Sequence, residues 1–235
     1  MRKVNSLTAP YVELHAVAGA LKAQSSALPA LAVVSGRPGA GKTTAIQSLI
    51  GHYDVCFVRV RAITTVGSLL SSFCRELSLD ARRSNPDKLQ AIIEELREAP
   101  RIVLIDEVDR LTRADERLIE ILRDIHDEAR VPVILVGEEK IQAKLTRWPQ
   151  LYSRIDKHIV FGPLDMEDAA LVAKDLCEIE IAPDLIERMN EHCEGSIRRI
   201  VIALSRFEAL AKGNGWNRLD ASLWDERPMF LKKGA

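Results

Sequence analysis

Leu31-Ala-Val-Val-Ser-Gly36-Arg-Pro-Gly-Ala-Gly-Lys-Thr43 is an apolar run of strand length that breaks into glycine and proline and closes on Gly-Lys-Thr. Four residues separate Gly36 from Gly41-Lys42-Thr43, the G-x-x-x-x-G-K-[ST] spacing of a phosphate-binding loop. Such a loop curls backbone N–H groups around a polyphosphate, and residues without a Cβ let the main chain come that close. The spacing therefore assigns Gly36, Pro38, Gly39, Ala40, Gly41, Lys42, Thr43 and Thr44 to a nucleotide cradle. Within it Lys42 reaches the β- and γ-phosphates of ATP, Thr43 ligates Mg2+, and the following helix points its positive end at the anion.

Outward from the loop, strands and helices alternate. A helical pattern from Tyr11 to about Ala27 precedes it, with a start signal at Thr8-Ala-Pro10 and a stop at Pro29. This N-terminal segment is expected to fold back over the base of the nucleotide. A helix through Ile50 follows the loop, then a strand over Asp54–Arg61 whose end releases Arg59 and Arg61. Val66, Leu69, Leu70, Phe73 and Leu77 mark one helix, and Leu89, Ile92, Ile93 and Leu96 the next. Arg101-Ile-Val-Leu-Ile-Asp-Glu107 reads as a strand buried on both faces. A helix through Leu118–Ala129, a strand at Val131–Gly137, a shorter helix from Glu138 to Arg147 and a last strand near His158 to Phe161 complete an α/β core. Helices of this length between strands imply right-handed crossovers and a five-stranded parallel sheet.

The pattern changes at Pro163, after which no strand candidate remains. Asp165, Pro183 and Ser196 open three helices, and Gly213-Asn-Gly215 ends the last. The expected organisation is a nucleotide-binding core over 1–162, a small helical lid over 163–213, and a C-terminal tail over 214–235. With Trp216, Leu219, Leu223 and Trp224, that tail is too apolar for a linker and should dock on itself or on a neighbour.

Composition narrows the classes. At 235 residues and 47% hydrophobic content the chain can bury a sizeable core. A formal net charge of -1 means that nucleic acid could be held only by local basic patches. Cys56, Cys74, Cys177 and Cys193 lie scattered in apolar contexts, as buried hydrophobes do, and the five histidines form no ligand cluster. The basic start lacks the apolar core of a signal peptide, and no stretch reaches membrane-span length, so a cytoplasmic protein without a membrane partner is expected.

Asp106, ending a buried strand, has the place of the carboxylate that holds Mg2+ opposite the phosphate loop. Glu107 beside it can deprotonate a water for attack on the γ-phosphate, which makes hydrolysis the expected outcome of binding.

Six stretches together resemble an AAA+ ATPase, and within that superfamily the phage Mu B, TniB and TnsC transposition proteins. They are Gly36–Thr43, Asp106-Glu-Val-Asp-Arg-Leu111, Leu122-Arg-Asp-Ile-His-Asp-Glu128, Val133-Ile-Leu-Val-Gly137, Leu151-Tyr-Ser-Arg154 and Gly195-Ser-Ile-Arg198. The resemblance implies that Arg154, with Arg147 as the alternative, projects into a neighbouring subunit's nucleotide site. It also implies that Arg198, or Arg199 beside it, is the lid arginine that touches the γ-phosphate. Glu138 and Glu139 depart from the family pattern, where a neutral polar residue commonly senses that phosphate. The chain also starts almost directly at the ATPase, without the additional N-terminal DNA-binding domain of Mu B.

From Arg59 to Arg83 five arginines face two acidic residues. In the resembling family this region lines a helical filament and holds double-stranded DNA by its backbone, which here would assign Arg59, Arg61, Thr64, Thr65, Arg82 and Arg83 to sequence-independent contacts. The implied function is an ATP-dependent DNA-binding ATPase that forms helical homo-oligomers and delivers target DNA to a transposase. A helicase loader or initiator shares nearly every motif, and a signalling or secretion-linked ATPase without DNA binding is the third reading.

Overall fold

A computed structural model describes residues 1–2, 5–24, 28–113, 116–225 and 227–229 of the chain. β1 (Leu31–Gly36), β2 (Val55–Arg59), β3 (Ile102–Asp106), β4 (Val133–Val136) and β5 (Ile155–Phe161) form the expected five-stranded parallel sheet, in the order β2-β3-β4-β1-β5. Every residue of β1, β3 and β4 is buried. A strand covered on both faces has no solvent side to mark with polar residues, hence the unbroken apolar runs. On edge strand β2, Cys56 and Val58 are buried while Val55 and Phe57 are only half-buried.

Helices α1 (Ala9–Ala23), α2 (Lys42–His52), α3 (Val66–Glu76), α4 (Asn85–Glu98), α5 (Glu116–Ala129), α6 (Ile141–Leu145) and α7 (Pro149–Tyr152) connect these strands. α3 and α4 set Leu69, Leu70, Phe73, Ile92, Ile93 and Leu96 into one core with β2, β3 and α5. Side chains start both helices: Thr65 and Ser68 form a reciprocal capping box on α3, and Ser84 accepts the Asp87 N–H of α4.

Several boundaries differ from the sequence reading. α1 is assigned only as far as Ala23. The helix expected from Glu138 is confined to Ile141–Leu145, because the N–H of Glu138 is taken by the Asp109 carboxylate. Trp148-Pro-Gln-Leu-Tyr forms a short helix of its own, opened by Pro149. β5 starts at Ile155, three residues before the expected His158.

The chain divides into two compact units. One holds Glu13–Arg37 and Ile46–Val160; the other holds Met1–Val12, Pro38–Ala45 and the chain from Phe161 onward. In the second unit Asp165 caps α8 (Met166–Leu176) by accepting the Asp168 N–H at 2.8 Å. Contrary to the sequence reading, strands do occur past Pro163. β6 (Glu180–Ile181) pairs in parallel with β7 (Arg218–Leu219), and two residues are too few to show a period. α9 (Pro183–Cys193) ends through Glu194 and Gly195, both at positive φ, and a Cβ on Gly195 would lie 2.5 Å from the Pro163 Cβ. α10 (Ile197–Gly213) follows Ser196, whose hydroxyl makes no capping bond. Residues 1–12 join the same unit: the Arg2 N–H donates to the Leu176 carbonyl at 2.8 Å and the Ala9 N–H to Asp168 at 3.0 Å.

Burial raises the Cys56 thiol to about 12 and those of Cys177 and Cys193 to about 11, as expected of apolar fillers. Among the described residues no helix is long and apolar enough to cross a membrane.

Described residues of the segment read as a tail, within 214–225 and 227–229, belong to the helical core. Leu219, Met229 and Trp224, the last from α11 (Ala221–Trp224), are buried there with α8, α9 and α10. The Trp224 ring stands edge-on to Phe207 at 4.6 Å, and its Nε1–H donates to the Arg227 carbonyl at 2.8 Å. Trp224→Ala is expected to cost about 3 kcal/mol, the cost of truncating a buried aromatic. Urea denaturation followed by circular dichroism checks this, and an unmoved midpoint would place the tail outside the fold.

Candidate nucleotide and nucleic-acid site

Residues 38–45, which carry the phosphate loop from Pro38 onward, belong to the helical unit, and Gly36 and Arg37 to the other. Gly39 and Gly41 have φ of 85° and 91°, backbone that only glycine adopts without strain. α10 sets the space beside them. The Gly39 carbonyl accepts the Arg198 N–H at 3.2 Å, a Cβ on Gly39 would lie 3.2 Å from the Arg198 Cβ, and one on Gly41 would lie 3.5 Å from Ile197 Cγ2. Arg198 is therefore the arginine that the structure brings to the loop, while Arg199 pairs with Glu194 at 3.4 Å. α2 begins at Lys42 with no acidic residue in its first turn, and Thr43 and Thr44 are exposed there. The N–H groups of a helix start without a carboxylate suit an anion.

The carboxylates stand at the end of β3. Register sets their company, because Arg59 of β2 is the parallel partner of Asp106. The Asp106 Oδ1 accepts the Glu107 N–H at 2.9 Å, and its Oδ2 lies 3.2 Å from the Arg59 Nε. Glu107 has a φ of 62°, so the chain turns sharply off the strand there, and its carboxylate is partly exposed. Arg59 approaches it at 3.9 Å and Arg110 at 3.6 Å. Arg59 thus pairs with both acids, where the sequence reading had it leaving the strand end.

Asp109, nearly fully buried, binds Lys144 and the N–H of Glu138. A Cβ on Gly137 would come within 2.5 Å of the Asp109 Oδ2, so the carboxylate fixes both the glycine and the path out of β4. Glu139 pairs with Arg37 at 3.1 Å, and Glu138 lies 3.7 Å from Lys144. Sequence reasoning passed over Asp109; a third carboxylate in Asp-Glu-Val-Asp was the available signal.

For the implied metal, the Thr43 hydroxyl and the Asp106 carboxylate are hard oxygen donors of the kind Mg2+ takes. The glycine conformations and the acid-free helix start fit the phosphates that accompany it.

Arg154 grips Asp127 in its own chain through two bonds of 2.6 Å. Arg147 lines a cleft with Trp148, Glu116 and Glu120.

The residues expected at DNA lie between the end of β2 and the start of α4. Thr64 closes a turn by accepting the Arg61 N–H at 3.1 Å and donating to the Arg61 carbonyl at 2.8 Å. Thr65 caps α3. Arg82 and Arg83 are exposed in the connection from α3 to α4, whose first residue, Asn85, lies back at the start of α3, where a Cβ on Gly67 would be 3.3 Å from the Asn85 Oδ1.

The chain resembles known proteins along most of its length. It is 26% identical over 202 residues to the ATP-dependent target DNA activator B of Escherichia phage Mu, covering 81% of this chain and 63% of that protein. It is 27% identical over 154 residues to the Mu-like prophage FluMu DNA transposition protein B of Haemophilus influenzae, covering 61% and 53%. The chain thus spans less than two thirds of the length of these relatives. In fold it is similar to the Aeropyrum pernix ORC2 protein solved in ADPNP–ADP complexes, with a TM-score of 0.68, 20% identity, and coverage of 90% of this chain and 65% of that one. The family described as AAA domain matches residues 28–145, half of the chain, and the protein belongs to that family.

Proposed function

We propose that this protein is an ATPase that binds double-stranded DNA without sequence preference, assembles into helical homo-oligomers, and presents target DNA to a transposase. The observation that carries the reading is the carboxylate pair at the end of β3, with an arginine of the basic segment seated on it. The similarity to the phage Mu and FluMu proteins supports the link to transposition.

In this reading the N–H groups of Gly39 to Thr43 and the Lys42 ammonium hold the polyphosphate, and Thr43 and Asp106 hold Mg2+, which supplies charge neutralisation when bound. Glu107 accepts the proton of a water as its oxygen attacks the γ-phosphorus, and the bond to the β-phosphate oxygen breaks to leave ADP and phosphate. Arg198 follows the γ-phosphate from the lid. Arg59 restrains Asp106 and, with Arg110, Glu107, so a polyanion that draws its guanidinium away frees Asp106 and leaves Glu107 to Arg110 alone. DNA binding and hydrolysis then share one residue. Arg154, released from Asp127, enters the neighbouring subunit's site and stabilises charge on the departing phosphoryl group.

Glu107→Gln should retain ATP and DNA binding while turnover falls about a hundredfold or more. Phosphate release, measured beside filter retention of DNA, decides this, and unchanged turnover removes Glu107 from the role. Arg59→Ala should raise turnover without DNA several-fold and flatten its rise on adding DNA; a variant still stimulated like the parent breaks the coupling. Arg154→Ala and Lys42→Ala should each be nearly inactive, yet regain turnover when mixed, since one supplies the loop and the other the arginine. No recovery in the mixture, with co-assembly shown by electron microscopy on DNA, would place Arg154 outside its neighbour's site.

A further inference from the structure

Between β2 and α3 the chain makes a short loop, Arg61-Ala-Ile-Thr-Thr65, and Ile63 at its tip is 90% exposed, the most exposed large apolar side chain among the described residues. Exposure alone means little for a single residue. The scaffold around this one is the informative part. Val60 before the loop is buried and Val66 after it packs on the same core. Inside those anchors the Thr64 hydroxyl bonds both the N–H and the carbonyl of Arg61, and Thr65 and Ser68 lock the start of α3. The loop is held at both ends, so little ordering is left to lose when its tip meets a partner.

Charge identifies the partner. Residues 61–65 include no acid, and Arg61 is exposed beside the tip. Arg59 ends the strand below, and Arg110 donates to the Val60 carbonyl at 3.0 Å. Asp106 and Glu107, the acids at this base, already pair with these two arginines, Asp106 with Arg59 and Glu107 with both. An apolar point beside an exposed arginine, on a loop without acids, suits a polyanion with an apolar interior, which is what duplex DNA offers between its base steps.

We propose that Ile63 is a wedge that enters duplex DNA and partly unstacks a base step, while Arg61 holds the adjoining phosphates. The inference rests on the DNA-binding reading above and adds to it a deformation of the bound duplex. Repeated by each subunit along an assembly, the wedge changes the twist of the DNA it covers.

The test is relaxation of closed circular plasmid by a topoisomerase in the presence of the full chain and ATP, followed by deproteinisation and measurement of linking number. The parent protein and Ile63→Leu should shift the linking number, whereas Ile63→Ser should lose at least about fivefold of that shift. The salt slope of DNA retention should stay the same in all three, because it counts phosphate contacts and not inserted side chains. Equal shifts from the parent and Ile63→Ser overturn the wedge, as does a parent that binds DNA without changing its linking number. Loss of self-association by Ile63→Ser, with the linking-number shift per bound subunit retained, would assign the tip to a protein contact and overturn it too. A parent chain not retained on DNA at low salt removes the DNA-binding reading itself, an outcome distinct from each of these.

Discussion

Burial on both faces of β1, β3 and β4 leaves the sheet no room for polar side chains except near the strand ends. An ionised group inside those strands would lose its hydration without recompense, so the carboxylates gather where β3 runs out. Asp106 is tolerable there because it accepts the next backbone N–H and meets an arginine from the adjacent strand. Asp109 is tolerable because a lysine and a backbone N–H meet it. The same demand that keeps the core dry thus concentrates the charged groups at one end of β2 and β3.

Much of this was legible in the sequence, for identifiable reasons. The phosphate loop and the carboxylate pair are local: their spacing lies within a few residues, and the helices show a 3.6-residue period over three turns or more. Gly39 and Gly41 carry the positive φ values that the motif requires. What could not be read depends on neighbours remote in sequence. Strand order is one instance, since nothing in an apolar run says that β4 stands between β3 and β1. The company kept by Arg59 is another. It follows from a parallel register with a strand more than forty residues later, so the sequence presents as a loose cation what the sheet makes an ion-pair partner.

The hydroxyls illustrate the same lesson at shorter range. Thr64 and Thr65 beside arginines look like phosphate ligands, yet both bond their own backbone, one closing a turn and the other starting a helix. Short polar side chains compete for local N–H and carbonyl groups before any ligand arrives. The β6–β7 pair escaped notice because two residues carry no period, and Gly213-Asn-Gly215 had suggested a tail set off from the helices. The partners of the tail's apolar residues lie upstream on α8, α9 and α10.

The membership of the helical unit bears on the order in which the chain acquires its structure. Residues 1–12 share that unit with residues from Phe161 onward, and Arg2 and Ala9 are bonded to Leu176 and Asp168. On a ribosome the first residues emerge long before those partners exist, whereas all strands of the sheet unit are complete by Val160. Contacts of such separation are slow to form, and segments synthesised early fold as soon as their partners are available. Translation therefore delivers a sheet unit able to collapse first, and the leading segment waits for the helices that bind it. The phosphate loop from Pro38 onward, grouped with the late-forming unit through Gly39 and Arg198, is the part of the nucleotide machinery whose surroundings are finished last.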